Sequence, residues 1–161
     1  MSTALAPAWT MRQARTPDAH QMSRMINTYA AQGLMVTRTA GELAARVGEF
    51  VVAFEPDGGR MAACGGLRRH DRGLAEVVSL AVREDLRAQG LGRELLLTLV
   101  GEAGATGVGT VFARTVSPDF FLLQGFERTR RDAFPGQRAP RGGARVAVAR
   151  RLPPVGFHSR G

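Results

Sequence analysis

Leu74-Ala75-Glu76-Val77-Val78-Ser79-Leu80-Ala81-Val82 is followed by Arg87-Ala88-Gln89-Gly90-Leu91-Gly92, and that by Arg93-Glu94-Leu95-Leu96-Leu97-Thr98-Leu99-Val100. An apolar run, a glycine turn and a helical pattern stand in succession. Glycine at 90 and 92 lets the backbone approach an anion with no side chain in the way. The N–H groups that open the helix have no partner within it, and the helix dipole favours negative charge there. The turn therefore reads as a diphosphate cradle. Two rival cradles fail on their own residues. A P-loop needs Lys-Ser/Thr after its second glycine, where Arg93-Glu94 stands. A dinucleotide fingerprint needs three glycines after the first strand, and Gly90-Leu91-Gly92-Arg93-Glu94-Leu95 lacks the third and follows several strands. What fits is Arg/Gln-x-x-Gly-x-Gly over Arg87–Gly92.

The chain has 161 residues, enough for one domain with a real core, and its hydrophobic share of 44% is ordinary for a folded soluble chain. The single cysteine excludes an internal disulfide and a cysteine-rich metal site, and no metal is expected. Cys64 stands among Ala62-Ala63-Cys64-Gly65-Gly66, where a small buried strand residue is expected rather than a nucleophile. No apolar stretch approaches the roughly 20 residues of a membrane span, and no basic-then-apolar leader opens the chain. A cytoplasmic location and no membrane partner are expected.

All 22 basic residues are arginine, and the net charge is +8. With no lysine there is no Schiff base and no side-chain amine to act as a base, because arginine stays protonated. Residues 114–161 carry ten arginines against Asp119, Glu127 and Asp132, while the first 113 residues are nearly balanced. Aromatics are not interleaved with these arginines, so nucleic acid is not expected as a partner. A solvated face, or a field that draws in polyanions, accounts for the charge as well.

Outward from the glycine turn the elements read as follows. Trp9–Ala14 is a strand, and Thr16 caps a helix with Pro17 at its first position, running to about Ala31 with Met22, Met25, Ile26 and Tyr29 on one face. Gly33 ends that helix. Thr39 and Glu42 form a capping box for a short second helix bearing Leu43 and Val47. Strands follow at Glu49–Glu55 and Arg60–Arg69, joined by the turn Pro56-Asp57-Gly58-Gly59, with a third at Leu74–Val82. A helix over 90–104, a strand over Gly107–Thr115, a short helix over Pro118–Leu123 stopped by Gly125, and a closing strand over Ala144–Leu152 complete the order. Phe134–Gly143 reads as a mobile loop and residues 153–161 as a flexible tail. The class is α/β with a mixed sheet, hairpins early and a crossover helix in the middle.

With Arg87–Gly92 in that setting, the chain resembles the GNAT N-acetyltransferase superfamily. Leu74–Val82 with Arg83-Glu84-Asp85-Leu86 resembles the family's fourth strand and acidic connector, and Phe120-Phe121-Leu122-Leu123-Gln124-Gly125-Phe126 its closing Gly-Phe segment. The likeness covers residues 12–131. Within the superfamily, Gly33–Thr39, Phe50-Val51-Val52-Ala53, Ala63–Leu67 and the Phe120-Phe121 pair are similar to the acetyltransferase domain of bacterial N-acetylglutamate synthases. The resemblance implies one domain over 1–161, with its core at about 9–152, built on a mostly antiparallel mixed sheet flanked by helices. It implies acetyl-CoA as cosubstrate. The backbone of Ala88, Gln89, Gly90, Leu91 and Gly92 would hold the pyrophosphate, flanked by Arg87 and Arg93. Leu80, Ala81 and Val82 would pair with pantetheine, and a bulge would aim the Leu80 N–H at the thioester oxygen. Ser117 and Phe121 would complete the coenzyme contacts. Many relatives carry a tyrosine acid where Phe121 stands, and phenylalanine cannot donate a proton to the leaving thiolate.

For the acceptor, the resemblance implies Arg38 as a clamp on a carboxylate, with Thr115 beside it. A solvated loop arginine is the plainer alternative for Arg38. The family pattern expects a basic or polar group after Thr115; here Val116 follows and Arg114 precedes, which leaves the acceptor open. Glu76 is the expected proton acceptor, directly or through water, against a strand glutamate paired with arginine. His70 is the other proton acceptor near this region, although before Asp71-Arg72-Gly73 it reads as a solvated turn residue, and Tyr29 reads as core with a wet hydroxyl. The expected reaction is transfer of acetyl from acetyl-CoA to a small-molecule primary amine by direct attack, the α-amine of glutamate first, which would place the chain in arginine biosynthesis. The rivals are a transferase for a protein N-terminus, polyamine or drug amine, and an idle acyl-CoA-binding domain. A homodimer is left open. Long-form synthases add a kinase-like domain; in 161 residues none is expected.

Overall fold

The computed structural model describes residues 9–71, 73–130, 132–134 and 146–154. The elements are β1 (Thr10–Gln13), α1 (Ala19–Ala30), α2 (Ala40–Ala45), β2 (Phe50–Phe54), β3 (Met61–His70), β4 (Leu74–Val82), α3 (Leu91–Ala105), β5 (Thr110–Thr115), α4 (Pro118–Leu122), β6 (Glu127–Thr129) and β7 (Val146–Arg151). Single 3-10 turns stand at Thr16–Asp18, Val47–Glu49 and Glu84–Leu86. Seven strands form one sheet in the order β1-β2-β3-β4-β5-β7-β6. Pairing is antiparallel for β1/β2, β2/β3, β5/β7 and β6/β7 and parallel for β4/β5. The fold is thus the α/β class expected, with a mixed, mostly antiparallel sheet flanked by helices. The chain divides into two compact units, Met1–Gly66 with Ser79–Leu95, and Leu67–Val78 with Leu96–Gly161.

In the first unit, Pro56–Gly59 makes the hairpin turn. Gly58 donates to the Glu55 carbonyl at 2.7 Å, and its φ of +76° belongs to the left-handed region that glycine enters without strain. The core is built from small residues that let layers approach: Ala53, Ala62, Ala63 and Cys64 are all fully buried. Leu91 and Leu95, from the first turns of α3, close on Ala53, Ala62 and Ala63, with Leu80, Val82 and Leu86 packed around them. Burying two leucines is worth roughly 1.5–3 kcal/mol each. That apolar contact fixes where the glycine turn delivers the start of α3. Helix α1 buries Met22, Ile26 and Tyr29, as its period predicts, with Met25 half-buried.

The start of α1 differs from expectation. Thr16 does not cap it; Thr16–Asp18 form a 3-10 turn and Asp18 is the residue before the helix. The Asp18 carboxylate is drawn inward by Arg12, which donates to both its oxygens (2.7 and 3.0 Å), and it accepts the Arg15 N–H at 2.7 Å. Those three bonds outweigh an exposed threonine cap and tighten the turn. The second cap is as expected, with Thr39 accepting the Glu42 N–H at 3.1 Å.

In the second unit, β4 and β5 pair over Leu74↔Thr110, Ala75↔Val111 and Glu76↔Phe112. Strand β5 begins at Thr110 rather than Gly107, because Gly107 has φ +87° and the Gly109 N–H turns to the Gly73 carbonyl at 2.8 Å. Leu96, Leu99, Ala103, Val111, Phe112 and Val148 are fully buried. Strand β6 is too short to carry an alternating pattern in the sequence; it exists because β7 offers it a ladder, Glu127↔Ala149 to Thr129↔Ala147. Strand β3 runs one residue further than expected and takes in His70, which is therefore a strand residue and not a solvated turn residue. Residues 135–143 of the expected loop and 155–161 of the expected tail lie outside the described residues.

Candidate functional site

In the first unit the decisive run is Ser79–Gly92. Ser79 has φ +52°, a left-handed non-glycine residue within β4. Such a residue breaks the strand's regular alternation, as bulges do, immediately before the Leu80 N–H. The end of the strand is held in place. Tyr29, buried on α1, donates its hydroxyl to the Val82 carbonyl. The Arg83 N–H donates to the Ala62 carbonyl at 2.8 Å. Its guanidinium reaches Asp85 at 2.7 Å, the Met61 carbonyl at 3.3 Å, and Glu55. The bond to Asp85 and that to Glu55 raise the Arg83 pKa, and the Arg83 bond lowers that of exposed Asp85. The acidic connector is thereby strapped to the β2–β3 hairpin.

The loop beyond has an alternating backbone. Ala88 (φ +64°) and Gly90 (φ +82°) are left-handed and Gln89 between them is not. Successive residues of opposite hand turn their N–H groups toward a common point, an anion-binding concavity. A side chain at Ala88 in that conformation costs about 1 kcal/mol or more. A Cβ added at Gly90 would meet nothing within 4 Å, so the face of the loop is open there. The Gly90 carbonyl accepts the Glu94 N–H at 3.0 Å and opens α3. The Arg87 guanidinium lies 4.8 Å over the Tyr29 ring, a cation–π contact that steadies an otherwise exposed arginine. Tyr29 thus touches both the strand end and the loop, a role that its place on an apolar helix face does not announce.

Arg38 lies in the same unit, held by its backbone. Its carbonyl accepts from Ser23 Oγ at 2.7 Å and Asn27 Nδ2 at 2.9 Å, and its N–H donates to Asn27 Oδ1 at 2.9 Å. Its side chain is 18% exposed, with a guanidinium nitrogen 3.8 Å from Glu42. Ser23 and Asn27 are one helical turn apart on α1. That spacing is visible in the sequence, but nothing there says what they hold.

In the second unit Glu76 is the centre of a polar cluster. Its Oε1 lies 3.1 Å from His70 Nε2 and its Oε2 accepts from Arg114 at 3.4 Å. All three side chains are less than one-fifth exposed. Arg114 also donates to the Phe134 carbonyl at 2.9 Å and lies 5.2 Å over the Phe112 ring, on which Phe134 stacks at 4.3 Å. Thr115 Oγ1 accepts the Ser117 N–H at 2.9 Å, so that hydroxyl shapes the entry to α4. Phe121 is buried between Phe120 and Phe126, edge-to-face with each at 5.3 Å. Cys64 is fully buried; desolvation pushes its thiol up to about 12, which removes it as a nucleophile near neutrality. Among the described residues no group of His, Cys, Asp and Glu could hold a metal ion, and no helix is long and apolar enough to cross a membrane.

Residues 9–126 match the model of the acetyltransferase (GNAT) family. A Chlorobaculum tepidum protein called an uncharacterized N-acetyltransferase is 32% identical over 78% of this chain and 79% of its own. An amino-acid acetyltransferase of Mycobacterium tuberculosis is 30% identical over 72% and 67%. One of Azotobacter vinelandii is 31% identical over 80% of this chain, which spans only 30% of that protein. Among solved structures, N-acetylglutamate synthase from Neisseria gonorrhoeae, complexed with coenzyme A and N-acetyl-glutamate, superposes with a TM-score of 0.80 at 23% identity, over 90% of this chain and 35% of that one. A Mycobacterium tuberculosis protein in complex with CoA gives a TM-score of 0.79 at 22% identity, over 89% and 99%. The family match begins just before β1 and ends at the Gly-Phe segment, taking in the strand, the alternating loop and the start of α3: the chain belongs to the acetyltransferase (GNAT) family.

Proposed function

We propose that the chain acts as one N-acetyltransferase domain that moves an acetyl group from acetyl-CoA to the primary amine of a small amino acid, glutamate first, by direct attack. The observation that carries the reading is the run Ser79–Gly92: one left-handed residue inside a strand, then an alternating loop with an open face, delivered to the start of a 15-residue helix. The donor set suits a diphosphate, since it offers backbone N–H groups and arginine and no carboxylate from the loop itself. Ala88–Gly92, with Arg87 and Arg93, would hold the pyrophosphate. Leu80–Val82 would pair with the pantetheine amides, and the Leu80 N–H would stabilise the thioester oxygen as negative charge develops on it. Ser117 and Phe121 complete the coenzyme contacts in this reading.

Arg38 takes the acceptor carboxylate, with Thr115 beside the acceptor, and Glu76 supplies the carboxylate of the proton-accepting group. The names of the amino-acid acetyltransferase relatives favour an amino acid, and the synthase neighbour favours glutamate and a step in arginine biosynthesis. Phe121 has no proton to give, so either another group protonates the thiolate or, as this reading takes it, the thiolate leaves as the anion and takes a proton from solvent.

The test is thiol release from acetyl-CoA across a panel of amines. Release that requires glutamate supports the reading. Release with a polyamine or peptide N-terminus instead moves the acceptor elsewhere. Acetyl-CoA binding without turnover on any amine leaves an idle domain. Gly90→Glu puts a carboxylate on the open face of the loop. Losing two charge-assisted contacts at about 1.5–3 kcal/mol each raises the Kd for acetyl-CoA by about 100-fold or more. Unchanged affinity would remove the cradle.

A further inference from the structure

We infer that the group that takes the proton from the acceptor amine is His70, through Nδ1, and that Glu76 is its positioning partner. The inference rests on the acetyltransferase reading above and deepens it.

The geometry assigns the roles. An ionised carboxylate only accepts hydrogen bonds, so the 3.1 Å contact between Glu76 Oε1 and His70 Nε2 requires the proton to sit on Nε2. Neutral His70 then carries its lone pair on Nδ1, for which no hydrogen-bond partner is found among the described residues. The other carboxylate oxygen accepts from Arg114 at 3.4 Å. Glu76 therefore has a partner on each oxygen, and a proton taken onto either would weaken the charge-assisted bonds it accepts. His70 needs to give up nothing. The cluster also fixes the ring. Phe112 lies 5.7 Å away, tilted by 36°, and is itself held by Phe134 stacked at 4.3 Å. Among the described residues Arg114 from β5 pairs with Glu76, and Asp71, exposed, follows His70 in the turn after β3.

The step balances without any further reactant. One N–H bond of the acceptor ammonium breaks and the proton moves to Nδ1, and the imidazolium that forms is stabilised by Glu76 through Nε2–H. The freed lone pair forms the C–N bond to the acetyl carbon as the C–S bond breaks. The nitrogen sheds its second proton to solvent, the thiolate takes one proton from solvent to become the thiol, and the first proton leaves His70 for solvent. The net change is one ammonium and one thioester to one amide, one thiol and one proton.

The experiment uses the full chain, with the acceptor found in the amine panel. If parent protein releases no thiol with any amine, the acetyltransferase reading itself falls and this inference with it. Given turnover, His70→Gln and Glu76→Gln are compared with parent using two acceptors, one an ammonium at the assay pH and one already neutral there, such as the analogue of the same acid with an aminooxy group in place of its amine. Glutamine at 70 keeps an N–H near the position of Nε2, so Glu76 keeps its partner. Glutamine at 76 cannot stabilise an imidazolium and can favour the other tautomer. General-base removal is worth about 100-fold or more. Each variant should lose about that much kcat with the ammonium acceptor and less than about threefold with the neutral one. The double variant should be no worse than either single one, as for groups acting as a unit. KM for acetyl-CoA should not move. A kcat for His70→Gln within twofold of parent on the ammonium acceptor would overturn the assignment, and so would equal losses on both acceptors.

Discussion

Replacing Tyr29 with phenylalanine removes one oxygen and leaves the shape of α1's buried face unchanged. The lost group is the hydroxyl that donates to the Val82 carbonyl. That carbonyl belongs to a half-buried residue at the end of β4, and without its donor it is left unsatisfied at about 1–2 kcal/mol. The Arg87 contact at 4.8 Å survives, because a phenylalanine ring also presents a negative face. In a chain of this size each kcal/mol shifts Tm by about 2–4 °C, so Tyr29→Phe should melt about 2–8 °C lower. The functional effect should be selective. Val82 closes the strand proposed to pair with pantetheine, so the KM for acetyl-CoA should rise about threefold to tenfold while that for the acceptor stays level. Tyr29→Leu removes the ring as well, frees Arg87, and should weaken coenzyme binding further, chiefly at low salt, where the phosphate charge counts most. Thermal melts with steady-state kinetics at two ionic strengths decide it. A Tyr29→Phe protein with parental Tm and parental KM for acetyl-CoA would show that the hydroxyl does not hold the strand.

Asn27→Ala removes both side-chain bonds to the Arg38 backbone, and should raise the acceptor KM about tenfold with little change in kcat or in the KM for acetyl-CoA; a parental acceptor KM would detach Arg38 from the acceptor. Asp18→Asn tests the start of α1. The Arg12 bonds hold the Asp18 pKa below its ordinary value, so the folded carboxylate contributes stability above about pH 4 and loses it as pH falls through the lowered folded value. Parent should therefore exceed Asp18→Asn by about 2 kcal/mol at pH 7, with the gap narrowing below pH 4 in denaturant titrations; a gap that widens on acidification contradicts the sign. Cys64, fully buried with its thiol pushed up to about 12, should resist alkylation at pH 8 until the chain is unfolded, whereas labelling at the rate of a free thiol would place it at the surface.

The elements were largely legible because each writes a local signal. Helical period marks α1, the capping box marks α2, Pro56–Gly59 marks the hairpin, and the apolar run with glycine turn marks β4 and α3. The errors have local causes too. A threonine before Pro17 reads as a cap until Arg12 is found holding Asp18, and β6 has only three residues in which to show a period. For the candidate site the sequence offers positions, such as Arg38, Glu76 and Arg87–Gly92, and says nothing of the contacts each one makes.

The sequence alone determined that Arg87–Gly92 opens a helix after an apolar strand, that lysine chemistry is absent, that Cys64 is inert, and that the class is α/β. Those are properties of residue type and short-range spacing. Tertiary structure alone decided that Ala88 adopts a left-handed backbone that its side chain disfavours, and that Ser79 does the same within a strand. It also decided that Tyr29 reaches Val82 across 53 residues, that Asn27 holds Arg38, and that Glu76 stands between His70 and Arg114. Each of those depends on which distant groups the packed core brings within hydrogen-bond distance, and a linear pattern carries no record of that until the sheet has formed.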